Sequence, residues 1–212
     1  MSACCLCSNF VSEGSNEVWN KPLFESANFV VLPSLGSLVE GWLLLVPKKH
    51  FICMGALPVD LAREMDSMKH EITSRLHRQY GEVCVFEHGP GAANHEVGCG
   101  VDHAHLHMVP FDFDLTSAAT RFIPPSTVWR DAGWESCRAA FEEGQDYLYL
   151  EQPVGVGRIA VRPDFGSQVF RKAIALCLGV PQQFSWRQYP KIGVVVRTIQ
   201  ALRGSVDVAV SV

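Results

Sequence analysis

Apolar residues follow two spacings along this chain, and each spacing predicts a type of element. Short apolar runs predict strands at residues 28–32 and 42–46, and the second run is continuous enough to be buried on both faces. A helix ending at Gly81 is predicted over residues 60–80, because apolar side chains recur there every three or four positions: Leu61, Met65, Met68, Ile72 and Leu76. Residues 82–87 and 101–109 predict two more strands, so the order of elements is β-β-α-β-β.

This order predicts an α+β fold in which an antiparallel sheet is backed by one long helix. After Pro110 the pattern predicts helices at residues 126–143, 168–178 and 192–202, and strands at residues 146–150 and 157–161 joined by a Gly/Pro turn. We therefore divide the chain into a first domain, residues 1–115, and an α/β C-terminal extension, residues 116–212. The extension is expected to pack on the first domain, where it extends the sheet or covers the pocket.

Three histidines alternate with apolar residues near the end of the first domain. In an extended strand His103, His105 and His107 share one face at steps of roughly 7 Å, while the residues between them face the core. Each imidazole brings two nitrogens that need hydrogen bonds or water, so three aligned histidines are poor packing residues. The run therefore predicts a reactive site carried by a strand, and surface histidines on an edge strand are the alternative.

The run from His103 to Val109, H-A-H-L-H-M-V, resembles the signature of the histidine triad (HIT) superfamily of nucleotide hydrolases and transferases. The resemblance covers residues 4–110, about half of the chain. It implies that His105 attacks the α-phosphorus of a nucleotide or nucleotide conjugate, giving a nucleotidyl-histidine, and that His107 donates a hydrogen bond to the phosphate or the leaving oxygen. A neutral imidazole is an available nucleophile near pH 7.

The third position of the triad favours hydrolysis over transfer. Transferases such as galactose-1-phosphate uridylyltransferase have glutamine where this chain has His107. Three alternatives remain open: a nucleotidyltransferase or phosphorylase that uses the same intermediate, a non-catalytic nucleotide-binding module, and a metalloenzyme whose triad itself binds a catalytic metal.

A zinc site is indicated by residues from the start of the chain and from the segment after the second strand. Cys4 and Cys7 form a C-x-x-C, and His50 and His103 complete a Cys2His2 set. Zinc-containing members of the superfamily resemble this arrangement, which implies a structural metal, because four protein ligands leave no position for water. Whether Cys4 or Cys5 is the first ligand is left open by the sequence, and small terminal cysteines without a metal are the alternative.

Residues before the triad are candidates for phosphate binding. Gly98 and Gly100 allow backbone N–H groups to approach an anion, although a plain hairpin loop explains each glycine equally well. The chain departs here from the familiar family pattern N-x-G-x-x-x-G-x-S-x-x-H: Glu87 lies about where the asparagine is expected, and Gly100 where the serine is expected. A modified phosphate pocket or a different substrate follows, and the missing serine gives the binding-module alternative its support.

Composition is that of an ordinary globular protein. The chain has 212 residues, 48% of them hydrophobic and 19% charged, with a net charge of −4. No apolar run approaches the ~20 residues of a membrane span, and no signal peptide is evident. The mildly acidic net charge does not indicate nucleic-acid binding. Eight cysteines without a secretion signal predict a cytoplasmic protein with reduced thiols. A homodimer is expected from the family resemblance.

Overall fold

One antiparallel sheet of eight strands organises the computed structural model. The structure describes residues 4, 6–7, 17–93, 101, 103–162 and 165–207, without the side chains of 204–207. The strands are β1 Phe24–Glu25, β2 Phe29–Pro33, β3 Leu43–Pro47, β4 Val83–Gly89, β5 Leu106–Pro110, β6 Arg130–Asp131, β7 Tyr147–Glu151 and β8 Gly157–Val161. Their spatial order is β1-β2-β3-β5-β4-β7-β8-β6. The predicted α+β class and antiparallel sheet are confirmed.

Among the described residues, the α-helices whose bounds are given by the structure are α1 Val59–Tyr80, α2 Leu115–Ala119, α3 Trp134–Glu142, α4 Val169–Cys177 and α5 Ile192–Asp207. Short 3-10 turns occur at Val18–Asn20, Met54–Ala56, Thr120–Phe122 and Pro181–Gln183. None of the helices in the described part of the chain has both the length and the apolarity needed to cross a bilayer.

The two faces of the sheet bury different helices, because successive strand residues point to opposite faces. On one face, alternate residues such as Leu45, Leu106 and Met108 pack against Ile72 and Leu76 of α1. Helix α3 covers the same face farther along, over Tyr147, Tyr149 and Ile159. On the opposite face, Trp42, Phe86 and Val109 pack with Phe170 and Ile174 of α4. The triad faces this second layer.

Most predicted elements are confirmed to within two residues, with three corrections. The last helix, predicted over residues 192–202, continues to Asp207. The helix predicted over residues 126–143 is only Trp134–Glu142, because Arg130 and Asp131 pair with Ile159 and Arg158 as strand β6. The strand predicted over residues 101–109 begins at Leu106. Its expected first half makes other hydrogen bonds: the Ala104 N–H donates to the Phe51 carbonyl oxygen at 2.6 Å, and His103 and His105 bond to backbone carbonyls.

Candidate active site

His105 is held by a hydrogen bond that fixes which ring nitrogen carries the proton. Its Nδ1 lies 2.6 Å from the backbone carbonyl oxygen of His103. Because a carbonyl oxygen only accepts, Nδ1 is the protonated nitrogen and Nε2 keeps its lone pair. The residue lies just before β5 and is half-buried. In the neutral ring the lone pair is therefore on Nε2, which is the form that a nucleophilic imidazole requires.

His107 carries the opposite tautomer. Its Nδ1 accepts a hydrogen bond of 2.9 Å from the indole Nε1–H of Trp42, a group that only donates. The ring stacks on Phe86 with 4.6 Å between centroids and is buried. Burial, and then the positive charges of a protonated His105 and of Arg171, hold the pKa of His107 well below its usual range. The ring is thus neutral, and its Nε2–H is the donor.

The two rings lie side by side with complementary nitrogens. Their centroids are 4.9 Å apart and their planes are inclined by 75°. Both rings line a cavity of about 300 Å³. A phosphorus atom bound here would meet a lone pair on His105 and a hydrogen-bond donor on His107, which is the pair of groups that nucleotidyl transfer to histidine needs.

Arg171 of α4 joins the triad at this cavity. Its side chain is buried, with the guanidinium 4.7 Å from the centroid of Trp42. Its Nε donates to the Phe184 carbonyl oxygen at 2.9 Å, and Nη2 donates to the carbonyl oxygen of Gly36. These bonds hold a permanent positive charge at the wall of the cavity, where it can attract a phosphate.

The rest of the large cavity is apolar and aromatic. Its walls include Trp19, Leu32, Leu35, Leu44 and Trp186. A volume of about 300 Å³ lies at the lower end of the range for small-molecule sites, which are lined in this way with a few polar groups at one end. The cavity can accept a flat nucleobase against its aromatic residues, with the phosphate at the histidines.

The four predicted metal ligands are brought together beside the triad. The donor atoms of Cys4, Cys7, His50 and His103 all lie within 4.8 Å of one another. Both thiol sulfurs are 3.4 Å from Nδ1 of His103, and Cys7 Sγ is 3.4 Å from Nδ1 of His50. In a tetrahedral zinc site the sulfur and nitrogen ligands are separated by about 3.5 Å, so the spacing fits.

The protonation of His103 also fits a metal. Its Nε2–H donates to the Pro47 carbonyl oxygen at 2.8 Å, so the unprotonated Nδ1 faces the two sulfurs. Burial, the largest influence, lowers the pKa of His103 to about 4, which keeps the ring neutral as ligation requires. Cys5, the alternative first ligand, lies outside the described residues.

Of the predicted phosphate-binding residues, Glu87 alone is described, and it lies away from the cavity of the triad. Glu87 is buried on the α1 face of β4, where its carboxylate accepts from the Met54 N–H at 2.6 Å and from the Tyr147 O–H at 2.5 Å. Glu87 therefore does not line the cavity of the triad. No contact of Glu87 with the cavity supports the prediction that it binds phosphate. Gly98 and Gly100 lie outside the described residues.

Several residues of the site carried no clear signal in the sequence. Trp42 belongs to an apolar run and is indistinguishable there from core. Arg171, Arg187 and Arg197 are equivalent candidates by sequence, yet Arg197 pairs with Glu40 at the surface, and the guanidinium of Arg187 lies over the Trp186 ring. Only the packing of α4 against the sheet distinguishes Arg171.

Comparisons with known proteins return similar folds at low sequence identity. No protein-family model matches the chain, and no curated protein matches it. Among solved structures, a zinc-bound histidine triad family protein from Mycobacterium smegmatis has 20% identity and a TM-score of 0.43, covering 66% of this chain and 94% of its own. A HIT family protein from Bacillus anthracis has 18% identity and a TM-score of 0.43, covering 53% and 76%. A galt-like protein from Arabidopsis thaliana has 11% identity and a TM-score of 0.39, covering 68% and 79%.

The structures from Mycobacterium smegmatis and Bacillus anthracis carry the name of the family that the triad motif resembles. Their identities and TM-scores are low, so the chemistry of the site has to be derived from the residues of this chain.

Proposed function

We propose that this chain, whose triad motif resembles that of the histidine triad superfamily, hydrolyses a nucleotide or nucleotide conjugate at the α-phosphorus. The observation that carries the proposal is the opposite tautomers of His105 and His107 at one wall of a single cavity. One ring offers a lone pair and its neighbour offers a donor, so the two groups act on one phosphate without a change of protonation.

In the first step the lone pair of His105 Nε2 attacks the α-phosphorus. The bond from phosphorus to the leaving atom breaks, and that atom departs with the bonding electrons. Nδ1 of His105 keeps its proton and its bond to the His103 carbonyl, which stabilises the positive charge on the substituted ring. The Nε2–H of His107 and the charge of Arg171 stabilise the phosphate oxygens. Water then resolves the nucleotidyl-histidine and releases a nucleoside monophosphate.

We also propose that Cys4, Cys7, His50 and His103 bind a structural zinc ion. When bound, zinc would connect the beginning of the chain to the residue whose carbonyl orients His105. Four protein ligands leave no position for substrate or water, so the proposal gives this metal no part in the chemical steps.

Two further features stay predictions. In the described part of the chain no cysteine is in a disulfide, and Cys53, Cys84 and Cys137 are buried thiols, which suits the predicted cytoplasmic location. The homodimer rests on the family resemblance alone. Light scattering in solution would measure it, and a mass of twice 23.4 kDa is the expected result.

The proposal is tested with the p-nitrophenyl esters of the common nucleoside 5′-monophosphates, whose leaving group is chromogenic. His105→Ala should reduce turnover by several orders of magnitude, because the nucleophile is lost. His107→Ala keeps the nucleophile, so intact-protein mass spectrometry should detect one nucleoside monophosphate bound to it. Replacing the exposed His70 by alanine is the matched control and should leave turnover unchanged.

Turnover by His105→Ala at the parent rate would refute the mechanism. Tight nucleotide binding with no adduct in any variant would instead indicate the binding-module alternative. Product analysis in the presence of inorganic phosphate separates hydrolysis from phosphorolysis. We expect the nucleoside monophosphate alone, and a nucleoside diphosphate would indicate a phosphorylase.

A further inference from the structure

A second, much smaller cavity lies beside the triad. Its volume is about 20 Å³, and His105, His107 and Arg171 line it as well as the large cavity. Its other walls come from β4 and from the start of α4, and they include His88 and Gln168. A space of nucleotide size and a space that holds about one water molecule therefore adjoin at the reacting histidines.

His88 and His105 line the same small cavity. His88 lies two residues beyond Phe86 on the same face of β4, and Phe86 pairs with His107 of β5. A fourth imidazole from the neighbouring strand therefore lies at the cavity shared by His105 and His107.

The imidazole of His88 has unused hydrogen-bonding capacity. Both of its ring nitrogens are buried, and none of the described residues gives either one a hydrogen bond. Burial, the largest influence, lowers the pKa of His88 to about 4, although Asp146 opposes this shift and Lys172 adds to it. The ring is therefore neutral near pH 7, with one nitrogen able to accept. Buried polar groups without partners are rare, and each one calls for an explanation.

Gln168 supplies a second unused acceptor in the same small cavity. Its Oε1 is buried, and no described residue donates to it. The residue has a positive φ of 57°, a conformation that is unfavourable for a side chain other than glycine. It precedes α4 as the N-cap, yet its side chain makes no capping hydrogen bond. Backbone strain of this kind is concentrated at functional sites.

From these features we propose that the small cavity is the acceptor site for the water that resolves the nucleotidyl-histidine, with His88 and Gln168 binding its two hydrogens. This inference rests on the proposed function and adds the identity of the acceptor. One ring nitrogen of His88 and Oε1 of Gln168 accept from the water. Its oxygen lone pair is then left for the phosphorus on His105.

In the resolving step, water displaces His105 from phosphorus. The water oxygen bonds to phosphorus while the bond between phosphorus and His105 Nε2 breaks, and the bonding electrons return to that nitrogen. The proton lost by the water passes to the ring nitrogen of His88 and from there to bulk solvent. His105 is regenerated with its proton on Nδ1, and the product is a nucleoside monophosphate. Because the small cavity is water-sized, we expect it to admit water and not inorganic phosphate.

Two variants of the full-length chain test this proposal. His88→Leu removes both ring nitrogens at similar volume, and Gln168→Gly removes the amide at a position whose positive φ suits glycine. The p-nitrophenyl esters of nucleoside 5′-monophosphates report formation of the adduct as a burst of p-nitrophenolate, and the steady state reports its hydrolysis. The matched control is His70→Leu, at an exposed position on α1.

For both variants we expect a burst near one equivalent per chain at the parent rate, followed by a steady state slower by about 10²-fold or more. The adduct should accumulate in the mass spectrum. Thermal stability should be equal to or above that of the parent, because each variant removes an unpaired buried group and one also relieves strain.

Other results would refute the proposal. Parent-like hydrolysis of the adduct in both variants would exclude His88 and Gln168 from the resolving step while leaving the nucleophilic role of His105 intact. Equal slowing of burst and steady state, with lower thermal stability, would show a structural role. Absence of burst and adduct in the parent and every variant would overturn the proposed function together with this inference.

Discussion

At the scale of single residues, the protein uses buried ionisable groups in two ways. The imidazoles near the triad are kept neutral by burial, so they can act as donors and acceptors over a wide pH range. Glu87 shows the opposite effect on the other face of the sheet. Burial raises its pKa to about 7, although Tyr147 and Met54 donate hydrogen bonds to it and favour the charged form. The stability of the fold should therefore depend on the protonation of this one carboxyl group.

Glu87→Gln should change how stability depends on pH. The pKa of Glu87 is about 7 when folded and 4.5 without the protein environment, so its contribution is fully present below about pH 4.5 and is lost as the pH rises through 7. Between pH 5.5 and 8.5 the parent should lose about 2 kcal/mol of unfolding free energy relative to Glu87→Gln. Urea denaturation at both pH values measures the difference. Glu142→Gln, at an exposed position, is the control, and a parallel pH dependence of parent and Glu87→Gln would contradict the expected protonation.

The sequence identifies the histidines of the triad segment as candidate site residues. It does not identify the site residues that distant elements contribute. Alternation alone identifies His103, His105 and His107, because residue type and spacing are both visible in the chain. It cannot identify tautomers, since these depend on the Trp42 indole and a backbone carbonyl. Arg171 and Gln168 reach the site only because α4 packs on the sheet, and nothing in their local sequence records this.

At the scale of elements, the spacing of the apolar residues predicts helices and strands correctly where an element is long or fully buried. The bounds of α1 were predicted to within one residue, because its apolar stripe covers about four turns. Predictions failed where backbone hydrogen bonds outside a ladder decide the conformation. The segment before β5 is the main case, because the Ala104 N–H donates to the Phe51 carbonyl oxygen instead of continuing the strand. The side-chain rings of His103 and His105 also bond to backbone carbonyl oxygens there.

The proposed metal centre joins three separate segments of the chain. Loss of the metal should lower the zinc content and the stability of the protein, and both can be measured without an activity assay. Cys4 and Cys7 lie at the start of the chain, His50 follows β3, and His103 precedes β5. We expect one zinc ion per chain in the purified protein by elemental analysis. Cys7→Ser should lose most of it and about 3 kcal/mol of stability, which corresponds to a melting temperature lower by about 6–12 °C.

Cys177→Ser is the control for this comparison, because Cys177 is a partly exposed thiol on α4 and is not among the four proposed ligands. It should retain zinc and the parent melting temperature. Zinc content that is equal in the two variants would exclude Cys7 as a ligand. A protein without stoichiometric zinc whose stability is unaffected by either substitution would refute the structural metal site.

At the scale of the whole molecule, one sheet crosses the boundary that the sequence suggested at residue 115. Strand β4 pairs with β5 on one side and with β7 on the other, over five residues from Val85 to Gly89. The extension therefore continues the sheet, and its helix α4 also closes the cavities of the triad. The outer strands β1 and β6 have two residues each, which limits pairing of further strands at the edges.

This continuity predicts that residues 1–115 will not fold as an independent unit. Removing residues 116–212 would uncover one edge of β4 from Val85 to Gly89 and leave Glu87 buried without the Tyr147 hydroxyl. It would also expose Trp42 and Phe86, which now pack against Phe170 and Ile174. The isolated segment should therefore be insoluble or lack a cooperative thermal transition by circular dichroism. Co-expression with residues 116–212 is the control and should restore a soluble complex with a cooperative transition. A monomeric 1–115 fragment that unfolds cooperatively would instead establish the first domain as a separate folding unit and the extension as an addition to it.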